Sequence, residues 1–260
     1  MTVLLAPRRH RAVIFDLDGV VTDTASVHAD AWRQLFDEFL AGRGGRPGED
    51  HRPFGHEEYL RHVDGRPRYD GVDAFLRSRG VALPWGDPTD PPGRETVCGL
   101  GNRKDRYFRE RLARDGVRVF DDGVDLVRRT QQRGLGTAVI SASRNCRRVL
   151  AAAGLGALFP VRVDGEVAAA LGLPGKPDPA VLLEAARRLG VGADAAVVVE
   201  DAEAGVEAGR RGGFALVIGV ARGGDGSDLR AHGADVVVAR LDQVRVDGAD
   251  APSRTGASRP

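Results

Sequence analysis

Lysine is almost missing from this chain. Only Lys104 and Lys176 stand against 36 arginines in 260 residues, and only Asn102 and Asn145 represent asparagine. A chain that uses arginine nearly everywhere keeps lysine where a compact ammonium does what a planar guanidinium cannot. Chance is the plain alternative, but the two positions are marked for function. An excess of either charge is missing too. The 38 basic and 37 acidic residues leave a formal net charge of +1, which gives no footing for nucleic acid or an acidic membrane surface. Cysteine is limited to Cys98 and Cys146, far apart in unlike contexts. That excludes a thiolate metal cluster and a disulfide framework, and two reduced thiols suit the cytosol. Long apolar runs are absent as well. Every run is strand-sized, so nothing is expected to span a membrane. The opening MTVLLAPRRHRAVIF has too short an apolar run for a secretion signal, and its arginines follow that run. The expected setting is cytoplasmic.

What remains is ample for a buried core, with 42% hydrophobic residues. Strand-like runs fall at Ala12–Phe15, Gly136–Ser141, Val161–Asp164, Ala196–Glu200, Ala215–Ile218 and Asp235–Val238. Helical patterns lie between them, near Gly123–Arg133, Asn145–Ala153, Pro179–Leu189 and Ala202–Arg211. This alternation, with runs such as AAVVVE, predicts an α/β fold with a Rossmann-like parallel sheet covered on both faces. Residues 26–115 break the rhythm. In SVHADAWRQLFDEFL the residues Val27, Ala31, Leu35 and Phe39 share a helical face, and Gly- and Pro-rich loops separate further helical stretches. The expected organisation is a core of residues 11–25 and 116–244, a helical insertion of 26–115, and flexible termini at 1–10 and 245–260.

Ligands of an open α/β sheet bind beyond the carboxyl ends of its strands. The first strand ends in Asp16-Leu17-Asp18-Gly19, another in Ser141-Ala142-Ser143, and AVVVE in Glu200-Asp201. The segment GKPDP sets Lys176 just ahead of a helix. Asp16 and Asp18 share one side of an extended chain, and like charges that close need a cation. Any one such acid could be a helix cap. All of them together are poorly explained that way.

These segments resemble the haloacid dehalogenase superfamily, in its β-phosphoglucomutase-like branch of phosphatases and phosphomutases. Asp16-x-Asp18 with GVVTDT matches its first motif, Ser141 the second, Lys176 the third, and Glu200-Asp201 the fourth. The helical insertion falls where that superfamily has its cap. The resemblance implies Mg2+ held by Asp16, the Asp18 carbonyl, Asp201 and, directly or through water, Glu200. It implies Asp16 as nucleophile, Asp18 as general acid and base, and Ser141 and Lys176 on the phosphoryl oxygens. In the same way Thr24 would support Asp18 and His28 would lie near hinge and substrate. Ser143, Arg144 and Asn145 of SASRN would contact phosphate. Arg66 of HVDGRPRYDG would grip a non-transferring phosphate, and Lys104 of NRKDRYF the sugar phosphate.

The implied activity is interconversion of β-glucose 1-phosphate and glucose 6-phosphate. Hydrolysis of a sugar phosphate or similar small ester is the alternative, and a non-catalytic binding protein a third. The partner is a small phosphorylated sugar and the protein a monomer. Bland readings stand beside the sharp ones. His28 could be a partly buried polar residue, Arg66 one more surface arginine, and Trp32 and Phe36 packing. A dinucleotide fold is disfavoured, because GLGNRK and GLGALF lack the third glycine and a preceding strand.

Overall fold

The protein is described by a computed structural model covering residues 2–247 apart from 45 and 65. Its strands are β1 (Val3–Leu5), β2 (Ala12–Asp16), β3 (Gly136–Ile140), β4 (Val161–Val163), β5 (Ala196–Glu200), β6 (Leu216–Val220), β7 (Val236–Val238) and β8 (Val244–Val246). Six form one parallel sheet in the order β4-β3-β2-β5-β6-β7. The chain starts in the middle at β2, runs outward to β4, then returns to β5 on the other flank. That reversal makes β2 and β5 the switch point, the place where such sheets open a crevice for ligand.

The period of two explains why β2 is apolar from Ala12 to Phe15. Val13 and Phe15 pack into one hydrophobic cluster, with α5 (Asp121–Gln132) and α6 (Cys146–Ala152). Ala12 and Ile14 pack into the other, with α8 (Ala180–Leu189) and α9 (Glu203–Arg211). Both faces are covered, as a parallel sheet requires.

Between β2 and α5 the chain is helical. It forms α1 (Ala25–Arg43), α2 (His56–Glu58) running into a π turn at Tyr59–Val63, α3 (Arg68–Ser78) and α4 (Val97–Asp115). Aromatics are scarce overall, yet both tryptophans, all three tyrosines and five of nine phenylalanines lie in residues 26–115. Phe36, Phe54 and Phe75 form the centre, with ring centroids 4.0–5.0 Å apart. These rings belong to the same hydrophobic cluster as Val13 and Phe15 of the sheet, and losing any one of them would cost about 3–5 kcal/mol.

Three features depart from the sequence reading. The termini are a correction. Residues 1–10 and 245–260 were expected to be flexible, but Val3–Leu5 pairs in parallel with Val244–Val246. Leu5 and Val244 are fully buried, and Arg129 donates to the Val244 carbonyl at 2.8 Å. Each run is too short to read as a strand until its distant partner is known. Residues 248–260 lie outside the described residues. Asp164 is not a strand end. It caps the short helix α7 (Gly165–Leu171), accepting from the N–H groups of Glu166 and Val167 at 3.1 Å. β6 continues through Gly219, whose bare Cα lets Leu229 and Val237 pack close; Leu229 belongs to α10 (Ser227–Ala231). No helix among the described residues is long and apolar enough to cross a membrane.

Candidate active site

The carboxyl ends of β2, β3 and β5 converge under the helical insertion. The chain leaves β2 in a tight turn. Leu17 donates its N–H to the Ile140 carbonyl at 3.0 Å, Asp18 donates to Asp16 Oδ2 at 2.8 Å, and Gly19 donates to the Thr22 carbonyl at 2.7 Å. Gly19 has φ +82°, and a Cβ there would fall inside the Asp201 carboxylate. Only glycine lets this turn meet the end of β5.

Asp18 is held by two hydroxyls. Ser141 donates to its Oδ2 at 2.9 Å, and Thr24 donates to its Oδ1. Burial pushes its carboxyl pKa up, against the pull of those bonds and of two lysines. Glu200 is fully buried. Its Oε2 accepts from the N–H groups of Asp201 and Ala202 at 2.9 and 3.1 Å, and its Oε1 meets Lys176 Nζ. Gly205 leaves the space that this carboxylate occupies. Lys176 Nζ also donates to Asp16 Oδ1 at 2.6 Å. Burial works against the charge of Lys176, but Asp16 and Glu200 outweigh it and hold its pKa above the ordinary lysine value. One of the two surviving lysines is thus wedged between two carboxylates where a longer, forked guanidinium has no room.

The acids outnumber that one cation. Asp16, Glu200 and Asp201 each offer a carboxylate oxygen, all within 4.8 Å of one another. Burial, then neighbouring carboxylates, drive Asp16 and Asp201 well above the usual carboxylate range. Hard oxygens, crowded and undercompensated, are a fitting donor set for Mg2+.

The insertion supplies the other wall of a cavity of about 310 Å3. From α1 come His28 and Trp32, from α4 Lys104 and Asp105. Lys104 is buried, touches His28 Nδ1, and sits 4.8 Å from the Trp32 ring centre and 5.1 Å from that of Phe108. Burial, then Arg68, lowers its pKa to about 7. His28 stacks on Phe108 with centroids 4.1 Å apart. Burial, then Lys104, drives the pKa of its imidazole well down. Its Nε2 has no hydrogen-bond partner among the described residues and lies 3.9 Å from Asp18 Oδ1. Trp32 is therefore more than packing, since its ring lines the cavity.

Every site residue anticipated from sequence except Asp16, Thr24, Glu200 and Asp201 lines this cavity. Thr24 lies behind Asp18, and Glu200 and Asp201 line a smaller adjoining cleft with Asp16 and Lys176. Ser143, Arg144 and Asn145 follow Ser141, whose Oγ accepts the Ser143 N–H at 3.0 Å. Arg66 is exposed at the rim. Arg68, which the sequence reading passed over, lies deeper, its side chain 18% exposed and paired with Asp105 at 2.7 Å. Asp64 was missed as well. It lines both cavities, and burial pushes its pKa up to about 6. DGRPR offered two arginines at once; Arg66 lies on the loop before Pro67, whereas Arg68 opens α3.

Two further contacts frame the site. Arg222, after β6, donates to the carbonyls of Gly19 and Val20 at 2.8 and 3.1 Å and pairs with buried Asp122. Pro67 of the insertion rests on Gly175, beside Lys176, where a Cβ would lie 2.5 Å from Pro67 Cγ.

Comparisons with known proteins agree with this architecture. A family model described as haloacid dehalogenase-like hydrolase matches residues 10–213. A β-phosphoglucomutase of Mycobacterium bovis is 49% identical over 243 residues, covering 92% of this chain and 93% of that one. A phosphorylated carbohydrates phosphatase of Thermotoga maritima is 29% identical, over 87% of this chain and 93% of that one. The crystal structure of a β-phosphoglucomutase from Clostridium difficile superposes with a TM-score of 0.70 at 24% identity, covering 90% of this chain and 92% of that one, a likeness of fold. The chain belongs to the haloacid dehalogenase-like hydrolase family and is an enzyme of its β-phosphoglucomutase-like branch of phosphomutases and phosphatases.

Proposed function

We propose that this enzyme is a β-phosphoglucomutase, converting β-glucose 1-phosphate to glucose 6-phosphate through a bisphosphate. The observation that carries the reading is a cavity with anion-binding groups at both ends. Lys176 donates to Asp16 and Ser141 to Asp18, while Arg68 and Asn145 converge on Asp105 in the cavity wall, with Ser143 and Arg144 lining the same cavity. Hydrolysis of a small ester needs one such end; a sugar bisphosphate uses two. The similarity to the M. bovis mutase over nearly its whole length supports the same substrate.

In this reading Asp16 attacks the phosphorus and forms an aspartyl-phosphate. Asp18 gives its proton to the departing sugar oxygen and takes one back from the hydroxyl that attacks next, and its raised pKa suits both duties. Thr24 and Ser141 aim it, and His28 Nε2 lies 3.9 Å from it. Ser141 and Lys176 hold the transferring phosphoryl oxygens. Arg68 with Ser143, Arg144 and Asn145 holds the other phosphate, with Arg66 at the rim and Lys104 on the sugar phosphate between. Asp16, the Asp18 carbonyl and Asp201 would hold Mg2+, with Glu200 alongside, and the ion's charge favours ionised Asp16 and the phosphoryl oxygens. The insertion, acting as a cap over the strand ends, would exclude water so that sugar attacks instead. A monomer in the cytoplasm accords with two buried, free cysteines.

A phosphatase acting on sugar phosphates is the second reading, favoured by the T. maritima relative. The test is incubation with Mg2+, β-glucose 1-phosphate and a trace of bisphosphate. Glucose 6-phosphate without free phosphate is expected. Free phosphate as the main product would replace the mutase by the phosphatase.

A further inference from the structure

The far anion seat already holds an anion. Asp105, on α4 beside Lys104, has a side chain 14% exposed in the cavity wall. Its Oδ1 accepts two bonds from opposite sides of the cleft, from Arg68 Nη2 at 2.7 Å and from Asn145 Nδ2 at 2.6 Å. Its Oδ2 receives Arg109 Nε at 2.9 Å, one helical turn on. A guanidinium and an amide converging on one carboxylate oxygen are the donors that a phosphoryl oxygen would use. A carboxylate placed only to brace α4 would need Arg109 alone. This one also reaches across to the start of α6, joining the insertion to the core.

We propose that Asp105 is a specificity-determining residue, an internal anion that fills the far seat until a phosphoryl group displaces it. Displacement costs the carboxylate little, because Arg109 stays bound to Oδ2 and Asp105 is not left buried and unpaired. A phosphate dianion outcompetes the carboxylate through its greater charge and extra oxygens. A neutral sugar or a sugar carboxylate does not. The seat therefore selects substrates with a phosphoryl group at the far end against uncharged and sugar-acid analogues. This rests on reading the Arg68 end as a phosphate seat.

The experiment measures binding by calorimetry with Mg2+ in full-length Asp16→Asn, which cannot turn over. The probes are β-glucose 1,6-bisphosphate and glucuronate 1-phosphate, which has a carboxylate in place of the second phosphate. Adding Asp105→Asn should tighten the bisphosphate about ten-fold, because a like charge facing the ligand is removed, and should admit glucuronate 1-phosphate. Asp105→Ser should move both in the same direction, so that a folding defect in one variant, seen by melting, leaves the other to decide. Unchanged or weaker bisphosphate binding in the folded variants would overturn the proposal and make Asp105 a brace for Arg68. Arg68→Ala in the same background tests the underlying reading. If it leaves bisphosphate affinity unchanged, the far seat itself is lost, whatever Asp105 does.

Discussion

The floor and the roof of the cavity are built with different bonds. On the floor, Asp16, Asp18, Ser141 and Glu200 leave strand ends or the turn directly behind one. Main-chain groups fix Asp16 and Glu200, and the hydroxyls of Thr24 and Ser141 hold Asp18. The Asp18 N–H holds Asp16, two N–H groups hold Glu200, and glycines at 19 and 205 leave room for carboxylates. On the roof, side chain holds side chain: Lys104 against His28, Arg68 against Asp105, Tyr69 against Asn102. A main-chain clamp admits one geometry and suits bond-making, where small displacements are costly. Paired side chains can exchange partners, which suits recognition.

The comparison breaks most visibly if a roof residue proves as indispensable to a minimal substrate as a floor residue. Asp16→Asn should lower turnover of both a sugar phosphate and a small aryl phosphate by about 10^3 or more. The variant should stay folded. Asp16 has a folded pKa above its unfolded value, so its ionised form weakens the metal-free fold at neutral pH, and that penalty fades as pH falls. The neutral amide should therefore melt no lower than the parent in chelator. Near-normal turnover would end the covalent reading, and an equal loss on the aryl phosphate from Arg68→Ala would end the division of labour.

A smaller effect sharpens the floor. Lys176 sits between Asp16 and Glu200 with a side chain only 5% exposed. Lys176→Arg keeps the charge but not the fit. Saturating turnover should fall about ten-fold, or about 1.4 kcal/mol. Overpacking should also cost about 1–3 kcal/mol of stability, read in a melting curve. An arginine variant with native kcat would show that the slot is not selective for ammonium.

The smallest effect concerns the roof. With its pKa near 7, Lys104 is largely neutral at pH 8 in the free enzyme and charged at pH 5.5. A bound phosphate favours the charged form, so binding should take up a proton at pH 8 and none at pH 5.5 through this group. Calorimetry in buffers of different ionisation enthalpy reads this directly. The uptake at pH 8 should exceed that of Lys104→Met by an amount approaching one proton, and equal uptake would assign the shift elsewhere.

The same division decides what could be read from the sequence. Floor residues announce themselves, because an apolar run that stops in carboxylates has few explanations. The alternation of runs and amphipathic stretches likewise carried the sheet and its covering helices. Roof residues depend on register and on partners far away. Arg66 and Arg68 share one motif, yet one is exposed and the other lies inside. Asp64 stands before a glycine, and nothing in its own sequence neighbourhood marks it for the site. Arg222 reaches Gly19 across 203 positions, and β1 finds β8 nearly the whole chain away. Local patterns carry no trace of such pairings.

The contact of Pro67 on Gly175 gives the molecule a door without clearance. Lys176 is the next residue, so the spot where insertion and core touch abuts the buried ammonium between Asp16 and Glu200. One methyl group on Gly175 would meet Pro67 Cγ at 2.5 Å and act as a wedge, propping the lid ajar with every reacting group untouched. If the insertion shuts over the site as proposed, a missing side chain sets how tightly, and a sequence can carry an intact set of motifs and still fail to close.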